Sequence, residues 1–180
     1  MNHSAFPTLR TPRLLLRKIE QKDIQHIFSG LSHPEVIKYY GVSFDSQEAT
    51  QEQMDWFRNL EKTETGIWWG ICSGDNRVFY GAGGFNGWDK IHKKAEIGFW
   101  LLPEFWGKGL MQEAFPIICD YGFTVLDLNR IEGFVDSENV NCKNAIEKLN
   151  FVLEGTMREC EIKDGRFLNL DIYSKLKRDR

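Results

Sequence analysis

The sequence predicts an α/β (α+β) fold in which antiparallel strands come first and a strand, helix, strand, helix, strand run follows. Three patterns predict it. Residues 67–72 and 78–85 are apolar runs around the turn Ser73, Gly74, Asp75, Asn76, which is the pattern of a β-hairpin. Residues 109–126 set Leu110, Ala114, Ile118, Tyr121 and Val125 at helical spacing, so one face of a long helix is buried. Beyond it, residues 130–136, 140–149, 151–162 and 167–175 read as strand, helix and a closing hairpin about Asp164 and Gly165.

Taken in order, residues 9–19 (LRTPRLLLRKI) form an apolar run flanked by charges, read as one strand. A short helix follows through Ile24, Ile27 and Phe28, then a helical turn and loop over residues 33–41. A polar helix starts at Ser46 and ends near Lys62, and residues 95–102 (AEIGFWLL) make a third antiparallel strand after the hairpin. Pro116 falls inside the long helix, where it removes one backbone hydrogen bond and predicts a kink.

With 180 residues and no Pro-, Gly- or Ser-rich interruption, the chain reads as one domain over 1–180. A hydrophobic share of 42% with 27% charged residues is globular in character. The formal charge of −3 gives no basic footprint for nucleic acid, and no basic amphipathic face suggests a membrane. No signal-peptide core or membrane span is visible, so a cytoplasmic location is expected. Cys72, Cys119, Cys142 and Cys160 form no close pair and are read as small apolar residues; His3, His26, His33 and His92 have no ligand spacing, so neither disulfide nor metal is expected.

The segment with chemical content is residues 104–113 (EFWGKGLMQE), where a strand ends near Pro103 and Gly107 and Gly109 open the long helix. A helix N-terminus offers unpaired N–H groups and partial positive charge, so an acidic protein can still hold a diphosphate there, with Lys108 adding charge. Taken alone, a Gly-x-Gly pair more often makes only a tight turn. The segment is no P-loop, and the glycines at 81, 83 and 84 lie within a strand, so they are no dinucleotide fingerprint.

In this segment the sequence resembles the GNAT N-acetyltransferase superfamily, whose Gln/Arg-x-x-Gly-x-Gly/Ala turn binds the acetyl-CoA diphosphate. The match is Glu104, Phe105, Trp106, Gly107, Lys108, Gly109, with Glu in the first place. TPRLLLR from Thr11, DYGFTVLDLNRIEGFVDSEN from Asp120, EKLNF from Glu147, EGTMRE from Glu154 and LDIYS from Leu170 are similar to the subgroup that acetylates ribosomal-protein N-termini. Spermidine and antibiotic acetyltransferases share the pattern, which therefore speaks more to fold and cosubstrate than to acceptor. The resemblance implies a central mixed, largely antiparallel sheet, flanked by helices and splayed between strands four and five. The pantetheine arm would lie along residues 98–102 and 134–136. It implies that amides of Leu101 or Leu102 lie near the thioester oxygen, and that Trp106, Gly107, Lys108, Gly109 and Leu110 hold the diphosphate.

An alkyl amine is mostly protonated at neutral pH, so the site needs a group that removes a proton before attack on a thioester. From the residues alone Glu96 reads as evenly a general base as a bland glutamate, exposed or paired with Lys93 or Lys94; the resemblance makes it the expected general base. The tyrosine that many GNAT enzymes use as acid is replaced by Ile146. Cys142, in the place of a subgroup serine, is then either a proton donor to the leaving thiolate or a small packing residue. Asn139 is a helix N-cap or a partner of the pantetheine amides, and Asn150 suits a left-handed helix end. The acceptor is expected among Tyr39, Tyr40, Gly41, Phe85, Asn86, Trp88 and the final strands, with Trp68, Trp69 and Trp100 as packing. Asp45, Glu48, Glu52 and Asp55 would attract a polyamine or form a solvated face. The expected partners are acetyl-CoA and an amine acceptor, a protein N-terminal α-amine before a polyamine or aminoglycoside, without metal, nucleic acid or membrane. A coenzyme A-binding module without turnover is the alternative from another class, and a homodimer is compatible with the pattern.

Overall fold

The computed structural model describes residues 5–180. The run at residues 9–19 is two strands rather than one: β1 (Leu9–Arg10) and β2 (Leu14–Lys18) pair antiparallel, with Leu9 opposite Leu16. Pro12 has no N–H for a ladder, and Thr11 closes the turn by donating its N–H to the Leu14 carbonyl at 3.0 Å. Helix α1 (Ile24–Leu31) is followed by the one-turn α2 (Pro34–Ile37), which has proline at its first position. Helix α3 is Gln51–Thr63, starting later than expected because the Thr50 N–H and hydroxyl both donate to the Ser46 carbonyl and form a separate turn.

The remaining elements are β3 (Ile67–Ser73), β4 (Phe79–Asp89), β5 (Lys94–Leu101), α4 (Leu110–Thr124), β6 (Arg130–Asp136), α5 (Val140–Glu147), β7 (Val152–Lys163) and β8 (Arg166–Leu176). They build one eight-stranded sheet in the order β1-β2-β3-β4-β5-β6-β8-β7. Every neighbouring pair is antiparallel except β5 and β6, which are parallel.

Each face of the sheet has its own core. On one face α4 buries Leu110, Ala114, Phe115, Ile118, Cys119 and Phe123 against Leu14, Trp69, Phe85, Ile97 and Ile131. On the other, Ile27, Leu31, Val36, Met54, Phe57 and Leu60 cover Leu15, Trp68, Ala82 and Trp100. Burial of such side chains contributes about 1.5–3 kcal/mol each and locks the strands in register. The buried face of α4 is wider than the predicted stripe, and Val125 follows the helix at 61% exposure. Pro116 lies within α4 on its exposed side, so the carbonyl it leaves unpaired, that of Gln112, faces water and the helix continues. Cys160 is exposed, contrary to the apolar setting expected for all four cysteines, because β7 is the last strand of the sheet and little packs on it.

Candidate active site

The parallel pairing of β5 with β6 stops almost where it starts. Lys94, Ala95 and Glu96 lie opposite Arg130, Ile131 and Glu132, and beyond that the strands separate. With Leu9–Arg10 counted as its own strand, this is the junction expected between strands four and five. The rest of β6 stays on β8 as far as Asp136 opposite Leu170, and β5 stays on β4 as far as Leu101 opposite Gly81. Backbone groups on the facing edges beyond Glu96 and Glu132 thus lack a strand partner, and an extended ligand would satisfy them.

At the top of this gap the Leu102 N–H donates to the Tyr80 carbonyl at 2.9 Å. Strand alternation then turns the N–H groups of Leu101, Phe99 and Ile97 toward the gap. Of the two expected amides only that of Leu101 faces it. The Trp106 N–H is also engaged, by the Pro103 carbonyl at 3.0 Å, and the Trp106 indole donates to the Leu101 carbonyl at 2.8 Å. The amides of Gly107, Lys108 and Gly109 have no acceptor among the described residues. Gly107 at φ +71° and Gly109 at φ +72° sit in the left-handed region, which an L side chain would strain, and Gly109 is the N-cap of α4 without a side-chain cap. The amides of this turn and the first turn of α4 therefore form an uncapped donor cluster suited to a diphosphate. Lys108 is exposed, with its ammonium 5.2 Å from the Phe105 ring centroid.

Glu96 stands on the last paired rung of the gap. Neither lysine considered as its partner holds it: Lys94 pairs with Glu132 at 3.2 Å and Lys93 with Asp127 at 2.6 Å. Burial raises its carboxyl pKa above the ordinary value; hydrogen bonding by Asn86 opposes this, and the negative charges of Glu132 and Glu161 add to it. Tyr40 approaches from the end of α2, and its hydroxyl pKa is raised by burial and by the Glu96 charge. Beside Glu96, Gly98 lets the Trp68 ring cross the strand, since a β-carbon there would come within 2.5 Å of that ring. A clasp covers this side: the Lys163 ammonium donates to the carbonyls of Ile37, of Lys38 at 3.0 Å and of Tyr40 at 2.8 Å. It caps the C-terminal end of α2 and ties the β7–β8 hairpin to it.

On the far side of the gap Asn139 is the N-cap of α5, its side-chain oxygen accepting the Cys142 N–H at 3.0 Å. Burial pushes the Cys142 thiol up to about 11, so it is protonated at neutral pH. Helix α5 is fixed by rungs from β8: Asp171 to Lys143 at 2.8 Å, Tyr173 to Glu147 at 3.0 Å and Lys175 to the Leu149 carbonyl at 2.9 Å. Four helical residues rise about 6 Å and two strand residues about 6.7 Å, so the first two rungs match.

Other expected residues lie elsewhere. Phe85 is fully buried in the α4 core and Trp88 packs against that same core, so both are on the face away from Glu96. Asp45, Glu48, Glu52 and Asp55 are exposed, and Asp55 pairs with Arg58. Asn150 ends its helical segment at φ +61° as predicted. No group of three or more metal-ligating side chains occurs among the described residues, and His3 lies outside them. Arg13, Tyr40 as a neighbour of Glu96, and Lys163 escaped the sequence reading of the site.

Residues 13–152 match the family model described as an acetyltransferase (GNAT) domain. The chain belongs to the GNAT acetyltransferase family. It is 34% identical over 173 residues to the uncharacterized N-acetyltransferase YoaA of Bacillus subtilis (strain 168), covering 96% of this chain and 98% of that protein. Spermidine N(1)-acetyltransferase of Escherichia coli (strain K12) is 27% identical over 155 residues, covering 86% and 81%. Among solved structures, RimL, a ribosomal L7/L12 alpha-N-protein acetyltransferase in complex with coenzyme A, superposes with a TM-score of 0.86 at 20% identity, over 97% of this chain and 100% of that one. The GNAT domain and the N-acetyltransferase relatives make this protein an acetyltransferase.

Proposed function

We propose that this GNAT enzyme acetylates a primary amine, preferentially the α-amine of a protein N-terminus, with Glu96 as general base. The observation that carries the reading is Glu96 itself: a desolvated carboxylate without a cationic partner among the described residues, on the last rung before the gap. Acetyl-CoA supplies an activated acetyl thioester. The amides of Gly107, Lys108, Gly109 and Leu110 bind its diphosphate, and the edge of β5 up to Leu101 lines its arm. Glu96 accepts the proton that the ammonium of the acceptor must lose, and Asn86 orients the carboxylate. Cys142 would return a proton to the departing thiolate, with Asn139 holding the start of α5. Burial keeps the thiol protonated at neutral pH but, by raising its pKa to about 11, also makes it a weak acid, and its packing against the core fits the alternative role of a small apolar residue.

The acceptor class follows from proton energetics and from the motifs shared with the ribosomal-protein subgroup. An α-amine with pKa of about 7.8 loses its proton for about 3.5 kcal/mol less than an alkyl ammonium of pKa about 10.4. A single glutamate base suits the easier task. Small amines such as spermidine are a second reading, favoured by the negative charge of Glu161 near Glu96, while that of Glu132 is offset by Lys94 and Arg130. Mass spectrometry of N-terminal peptides, polyamines and aminoglycosides after incubation with acetyl-CoA separates the two. Acetylation of peptide α-amines supports the first reading; acetylation confined to polyamines or aminoglycosides replaces it with the second.

A further inference from the structure

Arg13 sits in the turn between β1 and β2, yet its guanidinium lies against the turn that opens α4. Nη1 donates to the Lys108 carbonyl at 3.1 Å and Nη2 to the Gly109 carbonyl at 3.4 Å. Its Nε and backbone N–H donate to Glu113 at 2.5 and 3.0 Å, and the Thr11 hydroxyl donates to the same carboxylate. Glu113 occupies the first turn of α4, so one carboxylate and two carbonyls fix all three sides of the guanidinium.

A trans peptide plane puts each carbonyl opposite the N–H of the next residue. Holding the carbonyls of Lys108 and Gly109 on the Arg13 side therefore aims the amides of Gly109 and Leu110 the other way. We infer that Arg13 is a positioning residue for diphosphate binding: with Glu113 it sets the backbone of residues 108–110, without itself touching the ligand. This rests on the acetyl-CoA reading of the turn and adds what gives the turn its shape. It also assigns a role to Thr11 and Arg13 of the TPRLLLR segment, which otherwise has no part in the site.

The sign of the Glu113 effect makes the inference testable. By charge alone, a carboxylate in the first turn of α4 repels a diphosphate, so its neutralisation would tighten binding. As an anchor for Arg13, it must instead help. Calorimetric titration of the full chain with coenzyme A and with pantetheine, which lacks the diphosphate, decides between them. Arg13→Gln, Arg13→Lys and Glu113→Gln are each expected to weaken coenzyme A binding about 10-fold, the size of one or two hydrogen bonds to an anion, with pantetheine binding unchanged. Wild-type affinity in Arg13→Lys, which keeps the charge but not the fork, overturns the inference, as does equal or tighter binding by Glu113→Gln. A parallel loss of pantetheine binding overturns it too, since that marks general damage. Unaltered variants beside a wild type that binds coenzyme A refute only the role of Arg13; a wild type that binds none refutes the reading of the turn.

Discussion

Strand β6 is treated differently by its two neighbours. Along β8 it is paired from Arg130 through Asp136, whereas along β5 the ladder runs only from Arg130 to Glu132. The closed edge is a rigid support that carries α5 through Asp171, Tyr173 and Lys175. The open edge leaves backbone donors and acceptors without a strand partner among the described residues, which makes it a place for an extended ligand. The proposed site is thus a strand-sized omission in an otherwise complete sheet, with one desolvated carboxylate at its inner end.

The largest expected effect separates that carboxylate from the gap. Glu96→Gln should lower turnover about 10²–10⁴-fold, the range for loss of a general base, and leave coenzyme A affinity at the wild-type value. Release of free thiol from acetyl-CoA and titration calorimetry measure the two; a variant that turns over like wild type removes Glu96 as the base. Because burial raises its pKa, kcat/KM should fall with decreasing pH through an ionisation above the usual glutamate value. The stability effect has the opposite sense. A folded pKa above the unfolded one favours folding most at low pH and less as pH rises through that window. Glu96→Gln should therefore raise Tm at pH 7 but not at pH 4, each 1 kcal/mol appearing as about 2–4 °C.

How much of this was legible in the sequence depended on range. The turn and α4 were readable because the glycine pair at 107 and 109 and a helical apolar stripe are local signals, whereas the open edge came through the resemblance. The position of Glu96 came through the resemblance, since strand alternation cannot tell a desolvated carboxylate from an exposed one. Arg13 reaching Glu113 and Lys163 reaching α2 are contacts across about a hundred residues or more, and nothing in their flanking sequence marks them. Trp88 was expected beside the acceptor; β4 runs on to Asp89 and carries it to the opposite face.

A smaller effect belongs to the acceptor side. Lys163→Met would free the β7–β8 hairpin from the carbonyls of Ile37, Lys38 and Tyr40. The acceptor KM should rise about 5–10-fold, as for loss of charged hydrogen bonds, while the acetyl-CoA KM stays constant. A change confined to the acetyl-CoA KM would place the clasp on the wrong side of the gap. Smaller still is the effect at Cys142: Cys142→Ala should slow turnover about 2–5-fold and Cys142→Ser should not, whereas equal rates would reduce the thiol to packing.

The most direct test of the open edge is hydrogen–deuterium exchange with and without coenzyme A. Protection is predicted over residues 97–102 and 107–112, with little change over 170–174, where β8 is already paired on both sides. Coenzyme A that binds while residues 97–102 exchange as in the free protein would contradict the assignment of the gap between β5 and β6 as its seat.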